Sequence, residues 1–304
     1  MFLPSVLLSQ KPPMISLDSA KFIMGAGRKE PGGLRRSLTL GRQSLAVPRE
    51  EFIRFLRHSR VPVPGLDVDE CSFEYLLRTL GATETCAMDF SDYEGAELIH
   101  DLNQPIPPQW KSRFDFVFDG GTLEHVFDFP RAIRNCMEML AVGGQFITHT
   151  IANNWMGHGF YQFSPELFYR VFSEENGFRI ERMIAHEAIP GSAWYEVADP
   201  ESVKARVEQI GPFRVMLLVQ ARKIRETEIF RTTPKQSDYA AAWAEAEKGA
   251  AATYAETSCG GIGARFLKYL PGVGRALRRH VQPYFRRAWS LRDTRFFKRV
   301  VDED

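Results

Sequence analysis

The sequence predicts an α/β protein built on a mostly parallel sheet of seven strands. Three observations carry this. Short apolar runs alternate with segments of helical periodicity along most of the chain. The runs end repeatedly on Asp or Gly, as expected of strand ends that open onto a ligand edge. One stretch, Phe114 to Gly144, compresses a strand, a glycine turn, a helix and a glycine stop into immediate succession.

In that stretch Phe114, Phe116, Val117 and Phe118 suit a strand buried on both faces. Asp119-Gly120-Gly121 ends it, where backbone can approach a ligand closely. Asp128 and Pro130 mark a helix start, with Ile133, Met137 and Leu140 at helical spacing. Gly143-Gly144 are expected to stop the helix before a strand over Gln145 to Thr150.

Elsewhere, Met1 to Arg36 is rich in Pro, Gly and basic residues and reads as a loose arm. Ser37 to Leu40 is a strand ending at Gly41-Arg42-Gln43. A helix follows Pro48, with Glu50 and Glu51 in its first turn and Phe52, Phe55 and Leu56 on one face. After a Pro-Gly loop, Ser72 caps a helix with Phe73, Leu76, Leu77 and Leu80 buried, closed by Gly81. Thr85 to Met88 and Glu97 to His100 read as strands ending at Asp89 and Asp101. Ile151 to Phe163 is a polar-aromatic loop. Ser164-Pro165-Glu166 opens a helix closed at Asn176-Gly177, and Phe178–Ala185 and Arg214–Ala221 are the last strands, with a polar loop between. Tyr239 to Glu256 is an Ala-rich helix. The boundaries that result are an arm over 1–36, a domain over 37–233 and a helical basic extension over 234–304.

Apolar residues make up 44% and charged residues 25% of the 304, the balance of a globular protein able to bury a core rather than of a disordered chain. The net charge of +1 hides an asymmetry: from Cys259 to Asp304 eleven Arg or Lys face four Asp or Glu, so the rest is mildly acidic. Cys71, Cys86, Cys136 and Cys259 form no Cys-x-x-Cys and read as reduced thiols of a cytoplasmic protein. No apolar run reaches the ~18 residues of a membrane span, and the N-terminus makes a poor signal peptide. In the tail, Phe266, Leu270, Val273, Leu277 and Val281 recur among arginines. That composition suits a peripheral contact with an anionic membrane, an acidic partner, or helices docked on the domain. No specific nucleic-acid motif and no metal-ligand spacing stands out.

The strand, the helix start Leu123-Glu124-His125-Val126 and the turn Leu140-Ala141-Val142-Gly143-Gly144 together resemble the second half of a class I S-adenosylmethionine-dependent methyltransferase. The resemblance covers roughly Leu38 to Lys223, and the chain is also similar to bacterial methyltransferases of surface-polysaccharide pathways. It implies a Rossmann-like sheet with helices on both faces and an antiparallel last strand. It implies S-adenosylmethionine as cofactor, held by Gly41, Asp89, Asp101, Leu102, Asp119, Gly120 and His125. Asp89 would meet the ribose hydroxyls, and Asp101 with Leu102 and Asn103 the adenine. The acceptor, a small molecule, sugar or lipid-linked glycan, would lie against the loop after the fifth strand. There His158 is the candidate general base for a hydroxyl, with Tyr161 and Gln162 orienting the acceptor and Trp155 stacking on a sugar ring.

The departure is the turn Thr39-Leu40-Gly41-Arg42-Gln43, with one glycine and no acid where the family usually has two or three glycines behind an acid. Gly25-Ala26-Gly27 is the competing turn. Plainer readings stay open: Asp89 as a turn residue, Asp101 as an Asx turn before Asn103 and Pro105, His125 as a packed imidazole, His158 as a loop staple. A non-catalytic binding module of the same fold is the alternative function. A nicotinamide-dependent oxidoreductase is disfavoured, since no Gly-x-Gly-x-x-Gly joins a strand to a helix.

Overall fold

The structure, a computed structural model, describes residues 15–29, 33–45, 47–61, 72–92, 94–247 and 290–301. It divides into two compact units, Met1–His149 with Arg222–Glu226, and Thr150–Ala221 with Thr227–Asp304.

In the first unit the elements run α1 (Leu17–Lys29), β1 (Arg36–Leu40), α2 (Arg49–His58), α3 (Phe73–Thr79), β2 (Glu84–Asp89), β3 (Leu98–Ile99), β4 (Phe114–Asp119), α4 (Phe129–Met139) and β5 (Leu140–Asn153), whose last residues belong to the second unit. The strands lie in the order β3-β2-β1-β4-β5. Each neighbouring pair is parallel. Strand order therefore reverses between β1 and β4, the switch point where open α/β sheets take ligands at the carboxyl ends. The register brings those ends level: Leu40 pairs with Met88 on one side and Asp119 on the other, and Asp119 pairs with Thr148.

The apolar run of β4 behaves as its composition requires, with Phe116, Val117 and Phe118 wholly buried between two flanking strands. In α4, Asp128 caps the start by accepting from Arg131 N at 3.1 Å, and Ile133, Cys136 and Met137 form the buried stripe. Ser72 caps α3 in the same way, accepting from Tyr75 N at 3.2 Å.

Two expectations are corrected here. The supposed loose arm contains α1, whose Ala20, Ile23, Met24 and Gly27 are buried at helical spacing, and Ile15 bridges to Leu45. Its flanking Pro and Gly hide an amphipathic core; Gly25-Ala26-Gly27 lies inside this helix and is no strand-end turn. The helix α4 also ends earlier than expected. Leu140 already pairs with Phe114, and Ala141 to Gly144 bulge out before Gln145 pairs with Phe116. Arg222 Nη1 donates to Gly143 O and the buried Lys223 Nζ to Leu140 O, each at 2.8 Å, so the bulge is fastened by cations.

The second unit contains α5 (Pro165–Val171), β6 (Phe178–Glu187), β7 (Trp194–Val197), α6 (Pro200–Val203), β8 (Val215–Lys223, ending in the first unit), α7 (Ser237–Glu247) and β9 (Phe297–Arg299). Its strands neighbour one another as β8-β6-β7-β9, with β6–β7 and β7–β9 antiparallel. The described residues thus hold nine strands, partly antiparallel, where seven mostly parallel ones were expected. The two extra strands are β7, inside the segment read as a polar loop, and β9, inside the supposed helical extension. Both are short, and β9 pairs with β7 across about a hundred residues, a pairing no local pattern announces.

Segment 234–304 contributes α7 and β9 to this unit. Ser237 donates through N and Oγ to the Glu166 carboxylate at 2.7 and 3.0 Å, and Arg206 pairs with Asp238 at 2.6 Å. Most of the basic tail, with Cys71 and Cys259, lies outside the described residues; Cys86 and Cys136 are free thiols. Among the described residues no helix is long and apolar enough to cross a membrane.

Candidate functional site at the strand ends of the first unit

The turn after β1 is held from both sides. Gly41 sits at φ +73°, a left-handed conformation that glycine adopts without steric cost, and its N–H donates to Met88 O on β2 at 2.7 Å. Thr39 Oγ1 donates to Gly41 O at 2.9 Å, and Thr122 Oγ1 to Leu40 O at 3.0 Å. Gln43 Nε2 donates to the same Leu40 O at 2.6 Å. Gln43 is only 2% exposed, and its amide oxygen has no hydrogen-bond partner among the described residues.

Arg42 clamps the turn outward, pairing with Glu74 at 3.2 Å and Glu97 at 2.7 Å and donating to Gly95 O. Burial pushes the Glu97 carboxyl up, but the Ala87 N–H at 2.7 Å and the Arg42 guanidinium hold it below the ordinary carboxylate value.

The turn after β4 is organised from inside. Asp119 is wholly buried; Oδ1 accepts from Thr122 N at 2.8 Å and Leu123 N at 3.3 Å, and Oδ2 from Thr148 Oγ1 at 2.7 Å. Burial raises this carboxyl, and those donors oppose the rise. Its side chain is therefore spent on the turn that presents Gly120 and Gly121. Both glycines are close approaches: a Cβ on Gly120 would stand 2.4 Å from Gln43 Oε1, and one on Gly121 would stand 3.1 Å from Glu124 Oε1.

At the end of β2, Asp89 Oδ1 accepts from Phe90 N at 2.6 Å, and Oδ2 turns toward Gly41, 3.8 Å from where a Cβ there would lie. The next residue, Phe90, is 73% exposed. At the end of β3, Asp101 accepts from Asn103 N at 2.9 Å and Nδ2 at 2.7 Å, which hold it below its ordinary value; this is the Asx turn left open above. Asn103 Oδ1 accepts from Asp128 N at 2.9 Å, and the buried Leu102 gives its carbonyl to Asn135 Nδ2 at 3.0 Å. His125 closes the short 3-10 turn Leu123–His125, donating from N to Thr122 O at 3.0 Å, and desolvation lowers its imidazole.

The structure thus brings Gly41, Asp89 and Gly120 together and adds Gln43 and Thr122, which sequence reasoning passed over. No local signal marks either one. Chemically the corner offers the Asp89 carboxylate beside the backbone of Gly41, a group that accepts hydrogen bonds from hydroxyls and amines.

The remaining candidates, His158 and Tyr161, lie in the second unit, in a loop whose polar groups are engaged within that unit. Asn153 Nδ2 donates to Gln209 Oε1 at 2.7 Å, and Asn154 Nδ2 to Gly211 O at 2.8 Å and Phe213 O at 2.7 Å. Trp155 Nε1 donates to Val215 O at 3.1 Å, while Arg214 lies 4.5 Å over the indole. Gln162 Oε1 accepts from Trp155 N at 2.7 Å. His158 meets the Trp155 ring edge-on at 5.6 Å, and Tyr161 stacks on Phe163 at 6.0 Å. Trp155 and Gln162, read as acceptor contacts, are thus also staples of the loop.

No protein-family model matches the chain. No curated protein matches it either. Among solved structures, the chain is similar to an S-adenosylmethionine-dependent methyltransferase from Mesorhizobium loti at 18% identity, over 68% of this chain and 100% of that one, with a TM-score of 0.36. It is similar to the 1,6-didemethyltoxoflavin-N1-methyltransferase of Burkholderia thailandensis at 12% identity, over 72% and 82%, with a TM-score of 0.38. It is also similar to the branched-chain polyamine synthase of Thermus thermophilus at 14% identity, over 72% and 60%, with a TM-score of 0.36. Likeness at these identities and scores carries no residue's role across, so the site's chemistry is read from its own atoms.

Proposed function

We propose that the chain is an S-adenosylmethionine-dependent methyltransferase whose first unit holds the cofactor across the carboxyl ends of β2, β1 and β4. The observation that supports this is the meeting of Gly41, Asp89, Gln43 and Gly120 at the switch point, with one buried acceptor lacking a donor. A molecule carrying a vicinal diol and an amine fits that set. Gly41 keeps the backbone free of a Cβ beside Asp89, and Asp89 Oδ2 is placed to accept from the ligand's hydroxyls. Phe90 offers an exposed ring beside that carboxylate for a base to stack on. Asp119 takes no part in contact; it keeps the Gly120-Gly121 turn in place.

The cofactor supplies an activated methyl group on a sulfonium centre, so the protein's task is mainly alignment. The acceptor atom is an oxygen or nitrogen of a small molecule, a sugar or a lipid-linked glycan. His158 takes the proton from a hydroxyl acceptor, and Tyr161 orients it. The enzyme works in the cytoplasm, and its basic tail meets an anionic membrane face. Calorimetry with S-adenosylmethionine and with NAD tests the reading: micromolar binding of the first and none of the second is expected, and no binding of the first at millimolar concentration would overturn it.

A second reading, a non-catalytic module of the same fold, draws support from the loop 153–163, whose amides and indole are consumed in holding the loop itself. Cofactor binding without methyl transfer to any sugar or small-molecule hydroxyl would favour it.

A further inference from the structure

The ends of α1 and α2 meet on one side of the first unit. Arg28, in the last turn of α1, donates through Nη2 to Ser59 O, the C-cap carbonyl of α2. Close to that contact along the two helices lie Arg28, Lys29, Arg54, Arg57, His58 and Arg60, all exposed. Among the described residues no carboxylate pairs with any of them. The acids of α2, Glu50 and Glu51, sit in its first turn, at the opposite end.

A basic residue near a helix C-terminus is favourable to the helix dipole, and one or two per helix meet that need. This cluster goes further, at a local cost. Arg54 and Arg57 stand three apart on the outward face of α2, where like charges destabilise a helix. Arg60 N donates to Arg57 O and Val61 N to Leu56 O, each at 3.0 Å, the pair of bonds that closes a helix through one left-handed residue. That residue is Arg60, at φ +55°, where glycine would sit without steric cost. Two local preferences are given up in one place, and each concession keeps a cation on the surface. Local rules are broken chiefly where function requires it.

The surroundings of the cluster narrow its partner. Phe52 and Leu56 are wholly buried, so α2 has no apolar face to turn outward. The exposed large apolar side chains of this unit, Phe90, Ile99, Phe127 and Val142, belong to other segments. The cluster therefore meets its partner by charge. Nucleic acid calls for a strongly basic protein, and this chain carries a net charge of only +1. A bilayer asks for less. About four to eight Lys or Arg on an amphipathic helix hold anionic headgroups, because the attraction is gathered within a Debye length of the surface.

We propose that the exposed ends of α1 and α2 form a docking surface for the anionic headgroups of a lipid bilayer, with Arg28, Lys29, Arg54, Arg57 and Arg60 as its contacts. These residues belong neither to the cofactor site nor to the basic tail, so both of those readings stand if this surface fails. Full-length protein is floated with phosphatidylcholine vesicles that contain phosphatidylglycerol and with vesicles of phosphatidylcholine alone. The parent should bind the first and not the second, and added salt should release it. Arg54→Gln, Arg57→Gln and Arg60→Gly together remove three cations, each contributing about fivefold, so binding to the anionic vesicles should fall at least about tenfold. The same substitutions relieve the like-charge pair and the left-handed arginine, so the melting temperature should hold or rise. Arg60→Gly alone, with a loss of about fivefold, decides the matter if the combined variant loses its cooperative melt.

Undiminished vesicle binding by the variants would overturn the proposal and assign the binding to another surface. If their melting temperature also fell, the cluster would be a stabiliser of helix ends. A parent that ignores anionic vesicles would overturn it too, as would one that leaves them for double-stranded DNA at the same salt. Calorimetry of the variants with S-adenosylmethionine reads the cofactor site separately and should show the parental affinity.

Discussion

Replacing Asp119 tests whether the turn after β4 is built from inside, as the structure shows. The carboxylate answers two backbone N–H groups, of Thr122 and Leu123, and the Thr148 hydroxyl, and it is wholly buried. Asp119→Ala leaves all three donors without an acceptor. A hydrogen bond to a charged group contributes about 1.5–3 kcal/mol. Thr122 is only half-buried, the Leu123 contact is long, and relief of carboxylate desolvation offsets part of the loss. The net cost should be about 3 kcal/mol. Asp119→Asn keeps an acceptor for the two amides and lets Thr148 accept instead of donate, so its cost should stay below about 1 kcal/mol. Urea unfolding followed by circular dichroism measures both, read at constant m so that a change in midpoint is a change in stability. Cofactor affinity should fall with Ala and hold with Asn, because the turn presents Gly120. An Ala variant within about 1 kcal/mol of the parent would show that water or neighbouring groups satisfy these donors, and the reasoning would fail.

Asp89→Ala should weaken S-adenosylmethionine at least tenfold, as loss of about 1.5–3 kcal/mol implies, with an unchanged apo melting temperature; calorimetry and a thermal melt decide it. His158→Ala should lower turnover about 100-fold while cofactor affinity stays within a few-fold, a split that near-parental turnover would refute. The Arg36 guanidinium grips Asp115 at 2.6 and 2.9 Å and holds its carboxyl below the ordinary value. Its stabilisation is therefore complete above the ordinary carboxylate range and lost as pH falls through the lowered value. With both groups partly exposed, Asp115→Asn should cost about 1 kcal/mol at neutral pH and nothing in strong acid, measured by urea unfolding at both. Truncation after Lys235 removes α7 and β9, the partners of Glu166, Arg206 and β7, and should lower the melting temperature; an unchanged melt would show that they add nothing to the second unit.

What was legible in the chain was what neighbouring residues encode. The run Phe114–Phe118 announced β4, Asp128 with Pro130 announced α4, and Ser72 and Ser164 announced α3 and α5, because caps and periodicities act within a few residues. Gly41, Asp89 and Asp119-Gly120-Gly121 were legible as strand ends, since a strand that stops on Asp or Gly says so locally. Tertiary structure alone decided the rest. Asp119 turns inward to the Thr148 hydroxyl on the neighbouring strand, because a carboxylate's direction depends on which donors the fold brings to it. Strand β9 exists only against β7, and α1 is a helix despite the Pro and Gly around it because its apolar face has a core to meet. Gln43 carries no signal in sequence: its oxygen becomes a buried, unmet acceptor only once β1 and β4 lie side by side and Gly120 faces it. Local pattern determines which segments form elements; pairing between distant segments decides which side chains meet, and there the chemistry of the site resides.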